Sequence, residues 1–265
     1  MSNIDAVNAL LTAIHFDRFA EIEALHAPHA VFHSFRGPTL RDSVSIADWY
    51  RGFLTDYADC NYTEVEYIES GETVVVRATL EAKGFDWRPF TQRVVEVFEF
   101  EDGQIAARRL YAMQPDLELD KPAQQAFDNA MGFRGGSPSA TKQAVEQWLA
   151  ALEQWDAEAL RPLSHDKSVA VDGVYGVAVG FEKSLSLFSS RPRPVFGASR
   201  ATAAYFGDHT ALVEAAIEPA RPREAMWVRL VDGKIAVVEV YWMMREIGVT
   251  TEPKARHPRQ VILPI

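Results

Sequence analysis

The sequence predicts an α+β fold built as two tandem copies of one domain. Three observations carry this. A motif reading DGxIAxxxxYxM occurs at Asp102–Met113 and again at Asp232–Met243, Asp232 standing 130 residues after Asp102. Each occurrence follows helical and then β-rich sequence, an order that layers helices on an antiparallel sheet instead of alternating α and β. The length of 265 residues suits two domains of about 100–150 residues each.

Taken in order, each copy begins with an amphipathic helix. Val7, Leu10, Leu11 and Ile14 share one face by i, i+3, i+4, i+7 spacing, as do Val145, Trp148, Leu149 and Leu152. A shorter helix follows at Phe19–His26 and Ala157–Leu163, then a short strand at Ala30–Phe35 and Ser168–Val171. A third helix holds Ile46–Tyr50 in copy one and Leu185–Phe188 in copy two. Long strands close each copy: Thr63–Ile68, Thr73–Glu81, Arg93–Phe100 and Ile105–Met113, then Arg200–Phe206, Ala211–Ile217, Ala225–Leu230 and Ile235–Met244. Asp-Gly between two β-rich runs is a strong hairpin signal. Matching Asp17 with Asp156 after the first helices implies that copy two is about nine residues shorter between the landmarks, with the loss placed in the hairpin holding Gly84–Phe90.

These landmarks divide the chain into a first domain at 1–116, a linker at 117–139, a second domain at 140–248 and an extended arm at 249–265. The linker is marked by Pro115, Pro122, Gly132, Gly135, Gly136 and Pro138, with helical sequence at Ala123–Ala130. The arm carries Pro253, Pro258 and Pro264.

Composition narrows the function classes. A net charge of -10 argues against nucleic acid, whose phosphates require a basic surface. No stretch approaches the roughly 20 apolar residues of a membrane span, and the N-terminus lacks a signal-peptide pattern. The single cysteine, Cys60, excludes an intrachain disulfide and fits a cytoplasmic setting. Beside Asn61 and Tyr62 it reads as inert. His26, His29 and His33 have spacings seen in metal sites, but Pro28 breaks the helix and no Cys or carboxylate lies near in sequence. No metal and no cofactor is expected.

The segments Ile46–Arg51, Val97–Ile105 and Gly233–Trp242 resemble the third helix and final hairpin of the nuclear transport factor 2-like superfamily, which includes ketosteroid isomerases and SnoaL-like polyketide cyclases. The resemblance covers roughly residues 5–113 and 140–247. It implies a cone-shaped domain: a curved antiparallel sheet wrapped around a long helix, enclosing a mostly apolar pocket suited to a small apolar molecule. It further implies that the copies form an intramolecular pseudodimer, with room for a further homodimer.

The resemblance also points to site residues. The isomerase base lies on the first short strand, where Asp172 stands in copy two and His33 or Ser34 in copy one. The isomerase's Tyr position falls near Ala9 and on Trp148, and its acidic partner falls on Arg93 and Arg223, which can stabilise an enolate without being a protonated acid. The cyclase acid has no match at Ala112–Gln114 or Trp242–Met244; Asp116 and Glu246 lie just beyond. By strand alternation Arg109 and Tyr111 share a face, as do Glu239 and Tyr241, so a charge is exchanged at one repeat position. Each pair reads either as a polar pocket anchor or as a solvent-facing or inter-domain pair. Two functions stay open: proton-transfer catalysis on an apolar carbonyl or polyketide-like substrate, and non-catalytic ligand binding by a degenerate copy.

Overall fold

The first helix starts where a side chain can replace missing backbone acceptors. In the computed structural model Ser2 caps α1 (Asn3–His15): its hydroxyl accepts from the Asp5 N–H at 3.1 Å, and the Asp5 carboxylate accepts from the Ser2 N–H at 3.0 Å. The structure describes residues 1–35, 37–84, 87–190, 201–218 and 221–244, with the side chains of 216–223 outside the description. The arm expected at 249–265 lies outside the described residues, as does Glu246. The chain divides into two compact units, one built on Met1–Asp116 and the other on Leu117–Trp242.

In the first unit α1 buries Val7, Leu10, Leu11 and Ile14 and packs on the sheet strands β3 (Ala58–Ser70) and β4 (Thr73–Lys83). Between them in sequence come α2 (Phe19–Leu25), β1 (His26–His33), β2 (Thr39–Leu40) and α3 (Ser43–Asp56), the last capped by Asp42. The strand thus opens four residues earlier than Ala30, because α2 ends at Leu25 and His26 is already extended. β3, β4, β5 (Pro89–Glu101) and β6 (Gln104–Ala112) form an antiparallel meander, and β1 joins β6 in parallel. Asp102 and Gly103 take φ of 50° and 78° between β5 and β6, the left-handed pair that a tight hairpin requires.

The second unit repeats this order after an extra helix, α4 (Lys121–Met131), within the segment expected as linker. Phe127 and Ala130 of α4 are buried with Ala236 and Val237. There follow α5 (Pro138–Glu153), α6 (Ala157–Leu163), β7 (Ser164–Asp172), β8 (Gly176–Val179) and α7 (Phe181–Ser189). The meander β9 (Ala201–Phe206), β10 (Thr210–Glu218), β11 (Arg221–Val231) and β12 (Lys234–Trp242) closes the unit, with β7 parallel to β12. Each unit is therefore α+β, helices on a mainly antiparallel sheet with one parallel pair.

Backbone geometry sets the correspondence between the copies. Asp17 and Trp155 are the left-handed residues (φ 55° and 53°) after α1 and α5; Arg18 and Asp156 then cap α2 and α6. β1 and β7 open at His26 and Ser164, each opposite the isoleucine of its DGxIA motif. These pairs stand 138 residues apart, so matching Asp17 with Asp156 is off by one. The turn needs a conformation and not an aspartate; the Asp156 carboxylate is used as a helix cap, accepting from the Ala159 N–H at 3.0 Å. Trp148 consequently corresponds to Leu10, not Ala9. The final hairpins stand 130 apart, so copy two is eight residues shorter. Seven of these are lost between β4 and β5, since Val76 lies opposite Glu96 and Val213 opposite Met226.

Candidate functional site

β6 has two faces, and they differ in chemistry. Arg108 lies on the face toward α3, beside Phe98 and Glu96 of β5. It is wholly buried, and so is Glu96 at 1% exposure. The guanidinium donates to Glu96 Oε2 through Nε at 2.6 Å and pairs with it through Nη2. Three rings enclose the cation, with centroids 4.6 Å (Phe32), 5.3 Å (Tyr50) and 5.1 Å (Phe98) from its carbon. Buried charges are scarce unless paired; this one is paired with Glu96 Oε2, while Arg108 Nη1 and Glu96 Oε1 have no hydrogen-bond partner among the described residues.

Titratable groups gather around it. Burial works against the Arg108 charge, but Glu96, Tyr50 and Tyr62 outweigh it and hold the guanidinium above its ordinary value. Burial raises Tyr50, helped by Glu96 and opposed by Arg108. Burial of its hydroxyl, then Glu96 and Tyr50, raise Tyr62 well above the usual range. Both tyrosines are neutral donors at pH 7. Cys60 is buried nearby on β3, its thiol directed at the Tyr57 carbonyl.

His26 completes the group. Its Nδ1 lies 2.7 Å from the Ile22 carbonyl, so Nδ1 carries the proton and Nε2 is the acceptor. Burial lowers its pKa to about 4, with Arg108 adding to the effect and the Ile22 bond opposing it. The folded state therefore refuses a proton that the unfolded chain takes up below about 6.5. Stability rises with pH across the window from about 4 to 6.5, and acidification through it costs up to about 3 kcal/mol. A His26→Gln variant is expected to flatten that part of the stability profile, measured by urea unfolding at pH 4.5 and 7.

An aromatic chain leads outward from this cluster. Phe32 meets Trp49 (5.3 Å), Trp49 stacks on Phe53 (5.1 Å), Phe53 meets Tyr57 (4.7 Å) and Tyr57 meets Phe90 (5.5 Å). Trp49, Phe53 and Tyr57, with Phe35, line a groove of about 280 Å³ whose rim carries Asp48 and Asp56.

The same place in the second unit is apolar and almost full. Trp148, Ser164, Phe188 and Val238 surround a cavity of about 20 Å³, room for roughly one water. They correspond to Leu10, His26, Tyr50 and Arg108, and Met226 corresponds to Glu96. Trp148 donates through Nε1 to Ser164 Oγ at 3.2 Å.

Of the residues expected from sequence, Trp148 and Asp172 lie on the interior face of the second unit, and Arg93, Arg109, Tyr111, Glu239 and Tyr241 lie on the opposite face of their sheet strands. Arg93, Arg109 and Tyr111 lie on the sheet face opposite Arg108 and Glu96, by alternation along β5 and β6. There Arg109 pairs with Glu99 at 2.8 Å. His33 lies opposite Arg109 in register, half-buried, with Nδ1 3.1 Å from the Thr39 hydroxyl. Glu239 and Tyr241 lie on the face of β12 opposite Val238, both buried. Arg223 stands on β11 with its side chain outside the described residues.

Asp172 ends β7 on the same face as the cavity-lining Ala170, and it corresponds to Ser34. Its Oδ1 accepts from the N–H groups of Val174 (2.8 Å) and Tyr175 (3.0 Å) and from Trp242 Nε1 (3.0 Å). Three donors on one oxygen close a turn and fix Trp242. Asp172→Ala is expected to lose about 1–3 kcal/mol by stranding these donors, while Asp172→Asn, which keeps an acceptor oxygen, loses less; chemical denaturation compares the two. His26, His29 and His33 each bond a different group, Ile22, Glu101 and Thr39. Among the described residues no three such side chains converge as metal ligands.

Sequence reasoning missed Glu96, Arg108, Tyr50, Tyr62 and His26. The available signal was the loss of alternation on β6, where Arg108 and Arg109 are adjacent and one of them must face inward.

Residues 7–108 match the SnoaL-like domain family. No curated protein matches the chain. Among solved structures, it is similar to an NTF2-like protein of unknown function from Burkholderia pseudomallei, at 25% identity over 42% of this chain and 91% of that one, with a TM-score of 0.39. It is similar to IdmH of Streptomyces antibioticus, described as a putative polyketide cyclase, at 19% identity over 42% and 92%, TM-score 0.39. A protein of ketosteroid isomerase-like fold from Catenulispora acidiphila, solved with trimethylamine, gives 16% identity over 40% and 83%, TM-score 0.38. Over residues 7–108, less than half of its length, the chain is thus similar to the SnoaL-like domain family.

Proposed function

We propose that this protein binds a small, largely apolar carbonyl compound inside its first unit and acts on it by proton transfer, with the Glu96 carboxylate taking the proton through its unpartnered Oε1, while the second unit is a filled, non-catalytic copy. One observation carries the reading. The two units share element order and register, yet Glu96, Arg108 and Tyr50 in one are Met226, Val238 and Phe188 in the other. The second unit shows that the same interior position closes with Met226, Val238 and Phe188 in place of this buried ion pair. Such a pair adds little stability over apolar residues of similar volume, so stability does not account for it. A ligand does: Arg108 holds an oxygen that gains charge, and the neutral tyrosines donate to it. The aromatic groove at Trp49, Phe53 and Tyr57 suits a planar apolar body.

The test uses 2-acetylnaphthalene, a planar aromatic ketone. Fluorescence titration is expected to show binding that falls at least tenfold in an E96M/R108V protein. Exchange of the ketone's methyl protons for deuterium, followed by NMR, is expected to exceed background with the wild-type protein only. Equal binding by the two proteins overturns the site, and binding without exchange overturns the proton transfer.

A further inference from the structure

Within that site His26 is the one side chain whose available nitrogen is an acceptor and not a donor. Its Nδ1 is committed to the Ile22 carbonyl at 2.7 Å. Its Nε2 is enclosed, with no hydrogen-bond partner among the described residues, and the residue is 2% exposed. The second unit shows where this position faces. Ser164, which corresponds to it, lines the interior cavity with Phe188 and Val238 and receives the Trp148 N–H. In the first unit the tryptophan is replaced by Leu10, which has no donor. Where the second unit has a donor–acceptor pair, the first has the acceptor His26 and, at the donor's position, apolar Leu10, with Arg108 close enough to act on the imidazole. A buried acceptor left without a donor costs a desolvation penalty, and a ligand hydroxyl removes it. Arg108 is the charge that bears on this position, and it is already paired with Glu96, so a neutral ligand is the better fit.

We propose that His26 Nε2 receives a hydroxyl hydrogen bond from the ligand, which makes the first unit selective for neutral aromatic alcohols, phenols or enols over their ethers. The inference rests on the proposed function, since it needs the first unit's interior to bind a small molecule. It assigns a positioning role to His26 and requires no chemical step.

The experiment compares 2-naphthol with 2-methoxynaphthalene, which keeps the ring and oxygen but has no hydroxyl hydrogen. The full chain is expected to prefer 2-naphthol by at least about tenfold. His26→Phe is expected to bind both equally, having lost the preference and not the ring binding. In the wild-type protein, the ¹⁵N resonance of His26 Nε2 is expected to shift on adding 2-naphthol and to stay in place with the ether. This second measurement holds whether or not the Phe variant folds. An equal affinity of the wild type for the two probes, a preference surviving in His26→Phe, or an unmoved Nε2 resonance overturns the role of His26. Failure of the wild type to bind 2-acetylnaphthalene or either naphthalene probe overturns the underlying reading instead.

Discussion

Replacing Glu96 and Arg108 together by Met and Val is expected to leave the protein as stable as the wild type, or to raise stability by about 1–4 kcal/mol, while ligand binding is lost. The substitutions install residues that the second unit already carries at 226 and 238 in the same register. Removing both charges removes both desolvation penalties, and what disappears is an attraction that had only balanced them. The three rings around Arg108 keep an apolar neighbour in place of a cation. Urea unfolding with a shared slope for the two proteins measures the difference. A loss of several kcal/mol would show that the pair is structural and remove the argument for the site.

Replacing one partner alone is expected to do the opposite. Arg108→Val strands the Glu96 carboxylate and Glu96→Met strands the guanidinium, each at the centre of an apolar interior. Breaking a buried pair in this way costs about 3–5 kcal/mol, because an uncompensated charge remains. The double replacement should therefore be more stable than either single one, with a coupling energy far above the few tenths seen between independent sites. Such a reversal distinguishes a retained functional pair from ordinary core packing, where losses accumulate.

Much of the architecture was legible because it repeats. The Asp-Gly turns, the amphipathic faces of α1 and α5 and the β-rich runs are local features, each carried by a few adjacent residues. Register was less legible. Asp17 and Asp156 look equivalent as letters, but one sits in a left-handed turn and the other caps a helix. Trp148 was drawn inward correctly, by helical period. Arg93 comes from the family resemblance, and strand alternation alone leaves open whether the face of Arg109 and Tyr111 lines a pocket; β5 and β6 place all three on the face opposite Arg108.

The sequence by itself determined that two related α+β units follow one another and that their chemistry has diverged. It did so because helix and strand periodicity are properties of neighbouring residues. The tertiary structure alone decided which polar side chains meet inside the first unit. Glu96, Arg108, Tyr50 and His26 come from β5, β6, α3 and β1, and they meet only when the sheet closes on the helices. No spacing in the chain announces that meeting. Arg109 against Glu239 is a difference on the opposite face of the strand; the interior difference lies one residue earlier, as Arg108 against Val238.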